Sequence, residues 1–228
     1  MNKKNNLLSD YSSTQKIPRK AIIFGGTAQA MFIEEILAFK KIRVLAVFDD
    51  TKNLQSPLKG VKIYQGLKSL KLWKKDKDIS KIGFVVAIGN PYSKERISLH
   101  NKIKKLGFVP LTCIHPSATV SNTSFIEEGG QILAGAIISP NVKIGKCCIV
   151  NQQAVVGAST IIGEGSEIAP GSLVNGEVKI GNHSWICTGS SILPRLNIGN
   201  NVIVGAGAVV IRSVKNNSKV LGIPAKEV

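Results

Sequence analysis

The 228-residue sequence predicts an α/β N-terminal domain, a small open parallel sheet of Rossmann-like kind, followed by a parallel β-helix of hexapeptide repeats. Two observations carry this. First, an Ile or Val recurs every six residues without a slip at Ile114, Val120, Ile126, Ile132, Ile138, Ile144, Val150, Val156, Ile162, Ile168, Val174, Ile180, Ile186, Ile192, Ile198, Val204 and Val210. Four residues after each stop the side chain is usually small, as at Ala118, Ala136, Cys148, Ala154, Ser166, Ser172, Ser184, Ser190 and Ala208. Second, the stretch before this ladder opens with an apolar run, Ala21–Phe24, a Gly-rich turn and an amphipathic segment. The predicted boundaries are a polar tail over 1–19, the α/β domain over 20–112, and the β-helix with its C-terminal cap over 113–228.

A period of six fits neither the 3.6 of a helix nor the 2 of an ordinary strand. It suits a chain in which each hexad gives one short strand and one corner, and three hexads close a triangular coil. The ladder side chain then points into the prism, and the small residue sits where a corner leaves little room. Backbone N–H and C=O groups pair between coils stacked about 4.8 Å apart. The Gly and Asn residues that often follow the ladder position, such as Gly145, Asn151, Gly157 and Gly163, are expected at tight corners where a positive φ is cheap.

In the first half, Ala21–Phe24 reads as a buried strand. It leads through Gly25-Gly26-Thr27-Ala28-Gln29-Ala30 into a helix over Met31–Lys40. Such a turn lets backbone approach a phosphate or sugar at a helix N-terminus. A second strand, Arg43–Phe48, ends in Asp49-Asp50, carboxylates suited to a ribose or base edge. A short helix over Leu67–Trp73, a strand over Lys81–Ile88 ending in Gly89-Asn90, a helix over Tyr92–Leu106 and a strand over Phe108–Cys113 complete a four-stranded parallel sheet. About ninety residues suit one mononucleotide rather than a dinucleotide.

Net charge is +16, and aromatic content is 5%. The basic residues lack aromatic interleaving, which argues against a nucleic-acid site and leaves polyanionic small molecules or solvated faces. No apolar run reaches the ~18 residues of a membrane span. The N-terminus lacks the apolar core of a secretory signal. Cys113, Cys147, Cys148 and Cys187 have no metal spacing and read as small buried side chains in a cytoplasmic, reducing setting.

The Gly25–Ala30 turn, the Asp49-Asp50 pair, Ala87-Ile88-Gly89-Asn90, Ile114-His115-Pro116-Ser117-Ala118 and the ending Gly222-Ile223-Pro224-Ala225-Lys226 together resemble the nucleotide-sugar acyltransferases with a left-handed β-helix. These include the bacillosamine-pathway UDP-4-amino-sugar N-acetyltransferases and the sialic acid O-acetyltransferases. The resemblance covers about residues 20–228 and supplies the left-handedness, which spacing does not. It implies a homotrimer in bacterial surface-glycan (polysaccharide) biosynthesis, with acetyl-CoA or another acyl-CoA as co-substrate, a UDP- or dTDP-linked amino sugar as acceptor, and no metal. It places the sugar nucleotide at Thr27, Ala28, Gln29, Asp49, Asp50 and Gly89. It places acyl-CoA at Glu167, Thr188, Gly205 and Ala206, in a groove between neighbouring β-helices.

The family's His base and its acidic partner fall on Ala158 and Ser159 here, with Asn151 one hexad earlier, and a second family His falls on Glu167. Of the three histidines, His100 is expected on a helix surface, His115 in a structural role, and His183 beyond the usual site. Asn151, Gln152 and Gln153 can orient a substrate but cannot act as bases near neutral pH. The expectation is therefore direct attack by a sugar amine on the thioester, its proton leaving to the thiolate or to water. A hydroxyl acceptor, with its far higher pKa, is disfavoured. The alternatives are a non-catalytic nucleotide-sugar or CoA-binding relative, a sialic acid-type O-acetyltransferase, and a trimeric scaffold.

Overall fold

A computed structural model describes residues 17–228. Most of the expected polar tail lies outside the described residues. The N-terminal module runs β1 (Lys20–Phe24), α1 (Ala28–Phe39), β2 (Arg43–Asp49), β3 (Ile63–Gln65), α2 (Gly66–Trp73), β4 (Ile82–Val86), α3 (Ser93–Lys105) and β5 (Val109–Pro110). The strands form one parallel sheet in the order β3-β2-β1-β4-β5. Ile33, Ile36 and Leu37 of α1 pack with Ile23, Val47 and Val85 on one side. Ile103 of α3 joins Ile22, Phe24, Phe48 and Phe84 on the other. Strand order reverses between β1 and β4, which opens a crevice at their C-terminal ends.

Three details differ from the sequence reading. β3 adds a fifth strand, only three residues long, which pairs with β2 from Val47 to Asp49. Helix α1 begins at Ala28, three residues before the predicted start, because Thr27 takes the extended N-cap conformation directly after the glycines. The predicted last strand divides: Val109–Pro110 pairs with β4, whereas Cys113–Ile114 already pairs with Gln131–Ile132 of the second module.

From Cys113 onward the chain winds as a left-handed parallel β-helix with three faces. The first face stacks Cys113–Ile114, Gln131–Ile132, Ile149–Val150, Glu167–Ile168, Trp185–Ile186 and Ile203–Val204, and is closed by Lys219–Leu221. The second includes Ile137–Ile138, Val155–Val156 and Leu173–Val174. The third includes Lys143–Ile144, Ile161–Ile162 and Lys179–Ile180. From Ile132 to Val210 every ladder residue is buried in a single core. The small serines are inside too, and their hydroxyls satisfy corner carbonyls: Ser166 donates to Gly181 O at 2.7 Å and Ser184 to Gly199 O at 2.7 Å.

The corners correct one expectation. The positive φ falls not on the residue after the ladder position but two further on, at Gln153 (57°), Ser159 (58°), Glu177 (60°), His183 (57°) and Arg195 (62°). The glycine next to the ladder residue has a different task. A Cβ on Gly163 would lie 2.6 Å from the backbone of Gly181, so its small size lets successive coils stack. The left-handed position is spread over many residue types, at exposed or half-exposed corners in the five named and at a buried one in Cys147 (54°).

The N-terminal module docks on the first face. Cys113 and Leu133 join the core beneath α1. Arg96 of α3, fully buried (0% exposed), donates from Nε to Cys147 O at 2.9 Å, from Nη1 to Ile88 O at 2.6 Å and from Nη2 to Gly165 O at 2.7 Å. One guanidinium thus ties the end of β4 to two corners of the β-helix.

Candidate active site

The crevice is shaped by its glycines. Gly25 has φ +113°, and a Cβ there would lie 2.2 Å from Ala87 O, so only glycine lets β1 turn away this close to β4. The next amide, Gly26 N–H, donates to Asp49 Oδ2 at 2.7 Å, and Thr51 N–H donates to Asp49 Oδ1 at 2.8 Å. Asp49 thereby shapes the loop at the end of β2, while Asp50 is exposed beside it. Thr27 and Ala28 are exposed at the start of α1, and Thr27 makes no side-chain capping bond. The crevice thus presents a helix N-terminus, where backbone donors and the helix dipole favour an anion. Gln29 faces the other module: its Nε2 donates to Gln131 Oε1 at 2.8 Å, and Gln131 Nε2 donates to Val86 O at 2.9 Å.

Across the crevice stands Glu167, 9% exposed. Its Oε2 accepts from the backbone N–H of Asn90 at 2.9 Å, and its Oε1 accepts from Asn151 Nδ2 at 2.9 Å. A Cβ on Gly89 would lie 3.7 Å from Glu167 Oε2. The carboxylate therefore touches the end of β4, where the sugar-nucleotide residues gather, and also the β-helix corner at Asn151. Thr188 and Ala206 are exposed on the same ladder of corners as Asn151, one and two coils beyond Pro170. Gly205, by contrast, is buried, and a Cβ on it would lie 2.0 Å from Leu221 Cδ2; it closes the column against the C-terminal strand.

Ala158 and Ser159 sit elsewhere. They form the exposed corner after Val155–Val156, one face of the prism away from Asn151 along the same chain. Their recorded bonds are of the backbone: Ser159 N–H donates to Pro140 O at 2.9 Å, and Glu177 N–H donates to Ala158 O at 2.8 Å.

His100 is not on the surface as expected. It is buried against Phe84 (ring centroids 4.9 Å apart), and burial, aided by Lys146, depresses it to about 4. His115 braces α1, with Nδ1 2.7 Å from Ser117 Oγ and its ring edge-on to Phe39. His183 lies at the third corner beneath α3, with Nδ1 3.3 Å from Ser93 Oγ, and burial lowers its basicity. Burial also pushes the thiol of Cys113 up to about 11 and those of Cys147 and Cys148 up to about 12, so none supplies a thiolate near neutral pH. Cys187 is half-buried rather than buried.

Sequence reasoning missed Asn90, Arg96, Gln131 and Trp185. The outward-facing residue of every third hexad would have found two of them. Gln131, Ile149, Glu167 and Trp185 share the first face at intervals of eighteen, an unusual run for a solvated surface. A groove of about 990 Å³ between Ile17, Lys40, Ile42 and Lys81 opens at the N-terminal ends of β1, β2 and β4, away from all these residues. Among the described residues, no helix is long and apolar enough to cross a membrane.

A family model described as bacterial transferase hexapeptide (six repeats) matches residues 177–212. The chain resembles a perosamine N-acetyltransferase from Caulobacter crescentus, solved with CoA and GDP-perosamine, at 30% identity and a TM-score of 0.85, covering 92% of this chain and 96% of that one. It also resembles the acetyltransferase domain of PglB from Neisseria gonorrhoeae, solved with acetyl coenzyme A, at 26% identity and a TM-score of 0.82, covering 92% and 100%. Among curated proteins, a serine acetyltransferase from Synechococcus elongatus is 30% identical over 113 residues, 50% of this chain but 41% of that protein. The chain thus spans less than half the length of that relative.

Proposed function

Because this chain belongs to the bacterial hexapeptide transferase family, we propose that it is an acyl-CoA-dependent N-acyltransferase, with acetyl as the acyl group and a nucleotide-linked amino sugar as acceptor. The observation that carries this reading is the placement of Glu167 between the two modules. It bonds the backbone at the end of β4 on one side and the Asn151 corner on the other. A nucleotide at the start of α1, near Thr27, Ala28, Asp49, Asp50 and Gly89, directs its sugar toward that carboxylate. The acyl-CoA then lies along the Thr188 and Ala206 corners, and the amine meets the thioester beside Asn151.

In this reading the molecule works as a homotrimer whose clefts complete the site. Ile137 (42% exposed) and Leu173 (39%) make an apolar stripe on the second face suited to burial against a second copy. The relatives solved with CoA, GDP-perosamine and acetyl coenzyme A support both ligand classes. The reaction joins the sugar nitrogen to the thioester carbonyl carbon and breaks the carbon–sulfur bond. Holding the two reactants together supplies several kcal/mol of barrier lowering. No imidazole stands at Ala158, which favours an amine over a hydroxyl acceptor.

The test is release of free thiol from acetyl-CoA by the purified protein with a panel of UDP-, dTDP- and GDP-linked 4-amino sugars. A catalytic rate that depends on the amino group is expected, and silence across the panel would sink the reading. The exposed, backbone-only corner at Ala158 favours one second reading, a relative that binds without turnover. Ligand-dependent rises in melting temperature without thiol release would identify it.

A further inference from the structure

The chain lacks an imidazole at the position where its resemblance places a base, but it does not lack a proton acceptor at the junction of its modules. Glu167 is the carboxylate that meets both the end of β4 and the Asn151 corner. Each of its oxygens accepts one N–H bond, which leaves acceptor capacity on both. The charged or titratable groups facing it are the Arg96 guanidinium from α3 and the Cys187 thiol.

Two buried donors close by lack a hydrogen-bond partner among the described residues: Asn90 Nδ2 and Trp185 Nε1. Asn90 is the residue whose backbone N–H bonds Glu167. Trp185 is the register partner of Glu167 on the next coil of the first face. Unpaired buried donors are rare and costly in folded proteins. Both belong to residues that adjoin Glu167, one through its backbone bond and one through strand register, and such donors suit a ligand rich in oxygen acceptors that also carries a proton to give.

We propose that Glu167 is the catalytic proton acceptor of this chain, replacing the imidazole that is missing at Ala158. The inference rests on the N-acyltransferase reading. The acceptor amine binds neutral, having lost its ammonium proton to solvent. Its lone pair forms the carbon–nitrogen bond to the thioester carbonyl. The remaining excess proton passes from nitrogen to Glu167 as that bond forms. It then passes from Glu167 to the departing sulfur as the carbon–sulfur bond breaks, which restores the carboxylate and yields amide and free thiol. Asn90 Nδ2 and Trp185 Nε1 donate to oxygens of the bound sugar or acyl group.

The experiment uses the full chain, with acetyl-CoA and whichever amino-sugar nucleotide the wild type turns over. Glu167→Gln keeps the size and an acceptor for Asn90 N–H, and Asn151 can turn its amide to match. It is expected to lower kcat by roughly 10²-fold or more, with KM for the sugar nucleotide within about threefold and an unchanged melting temperature. Glu167→Ala opens room for a small carboxylate, and added formate is expected to restore part of its rate saturably. Turnover of the Gln variant near the wild-type rate, or loss of rate in both variants without formate rescue, overturns the assignment. A wild type that turns over nothing overturns the parent reading instead, so the two failures are distinguishable.

Discussion

Two corners of the same β-helix, alike in backbone shape at Gln153 (φ 57°) and Ser159 (φ 58°), have very different surroundings. The corner that begins at Asn151 leads with a buried, wired side chain, although Gln152 is half-buried and Gln153 exposed. The Asn151 side chain reaches Glu167, which reaches Asn90 of the other module, while Arg96 pins Ile88 and Gly165 beside it. The corner at Ala158 and Ser159 is exposed, and its recorded bonds are to its own column's backbone. The difference teaches that an eighteen-residue coil is nearly indifferent to what its corners carry. Polar side chains gather where a second module removes water and gives them partners, because there an ordered polar group acts most strongly.

The largest effect expected from breaking this contrast is at Arg96. Arg96→Met removes a buried cation but leaves three carbonyls, of Ile88, Cys147 and Gly165, without their donors. A loss of about 3–5 kcal/mol is expected, read as a fall in the urea midpoint. The α/β module should lose hydrogen-exchange protection before the β-helix does. Equal loss in both modules would mean that the guanidinium is not a tie between them.

His100 gives the next largest effect, through pH. In the folded chain it is buried and depressed to about 4 by desolvation, with Lys146 adding to the effect and Glu128 opposing it. The unfolded chain titrates near 6.5 and binds the proton first, so stability falls as pH drops from about 6.5 to about 4, by roughly 3 kcal/mol. Burial opposes ionisation of Glu128, but bonds from Lys104 and Lys146 outweigh it and hold its carboxyl at about 2. Its contribution is present above its unfolded value and is lost as pH falls toward 2. Denaturation midpoints across pH 3 to 8 should show the two falls in sequence, and His100→Gln should flatten only the upper one.

A smaller effect is expected at the crevice. Gly25→Ala forces a side chain into a positive φ and against Ala87 O, a cost of about 1–3 kcal/mol. It should also weaken sugar-nucleotide binding by pushing the α1 N-terminus off β4. Calorimetry with the nucleotide alone separates the two consequences. Unchanged affinity would place the nucleotide elsewhere.

The column was legible because its signal repeats: seventeen aliphatic residues in step leave few alternatives, and their burial depends on that spacing rather than on any partner. The crevice was partly legible, since a Gly-rich turn after an apolar strand has few other uses. What stayed hidden depends on contacts across long sequence separation. Arg96 sits in a helix among lysines and reads as a surface cation; the carbonyls that bury it lie 51 and 69 positions away. His100 lies one turn further along the same helix and was misread for the same reason. Strand β3 escaped because three residues on a sheet edge carry no periodicity of their own.

The smallest effect is expected at the bare corner. Ala158→His with Ser159→Glu places an imidazole and a carboxylate where the resemblance puts them. Both positions are exposed, so stability should change by no more than about 0.5 kcal/mol, although Ser159 holds a positive φ that glutamate tolerates less well. If the proton leaves through Glu167, the added imidazole finds no proton waiting and turnover should stay within about threefold of the wild type. The same pair placed in the Glu167→Gln background separates the two corners. A rate that remains low there says that the chemistry runs only through the wired corner, while recovery would say that the two corners converge on one amine and that either can unload it.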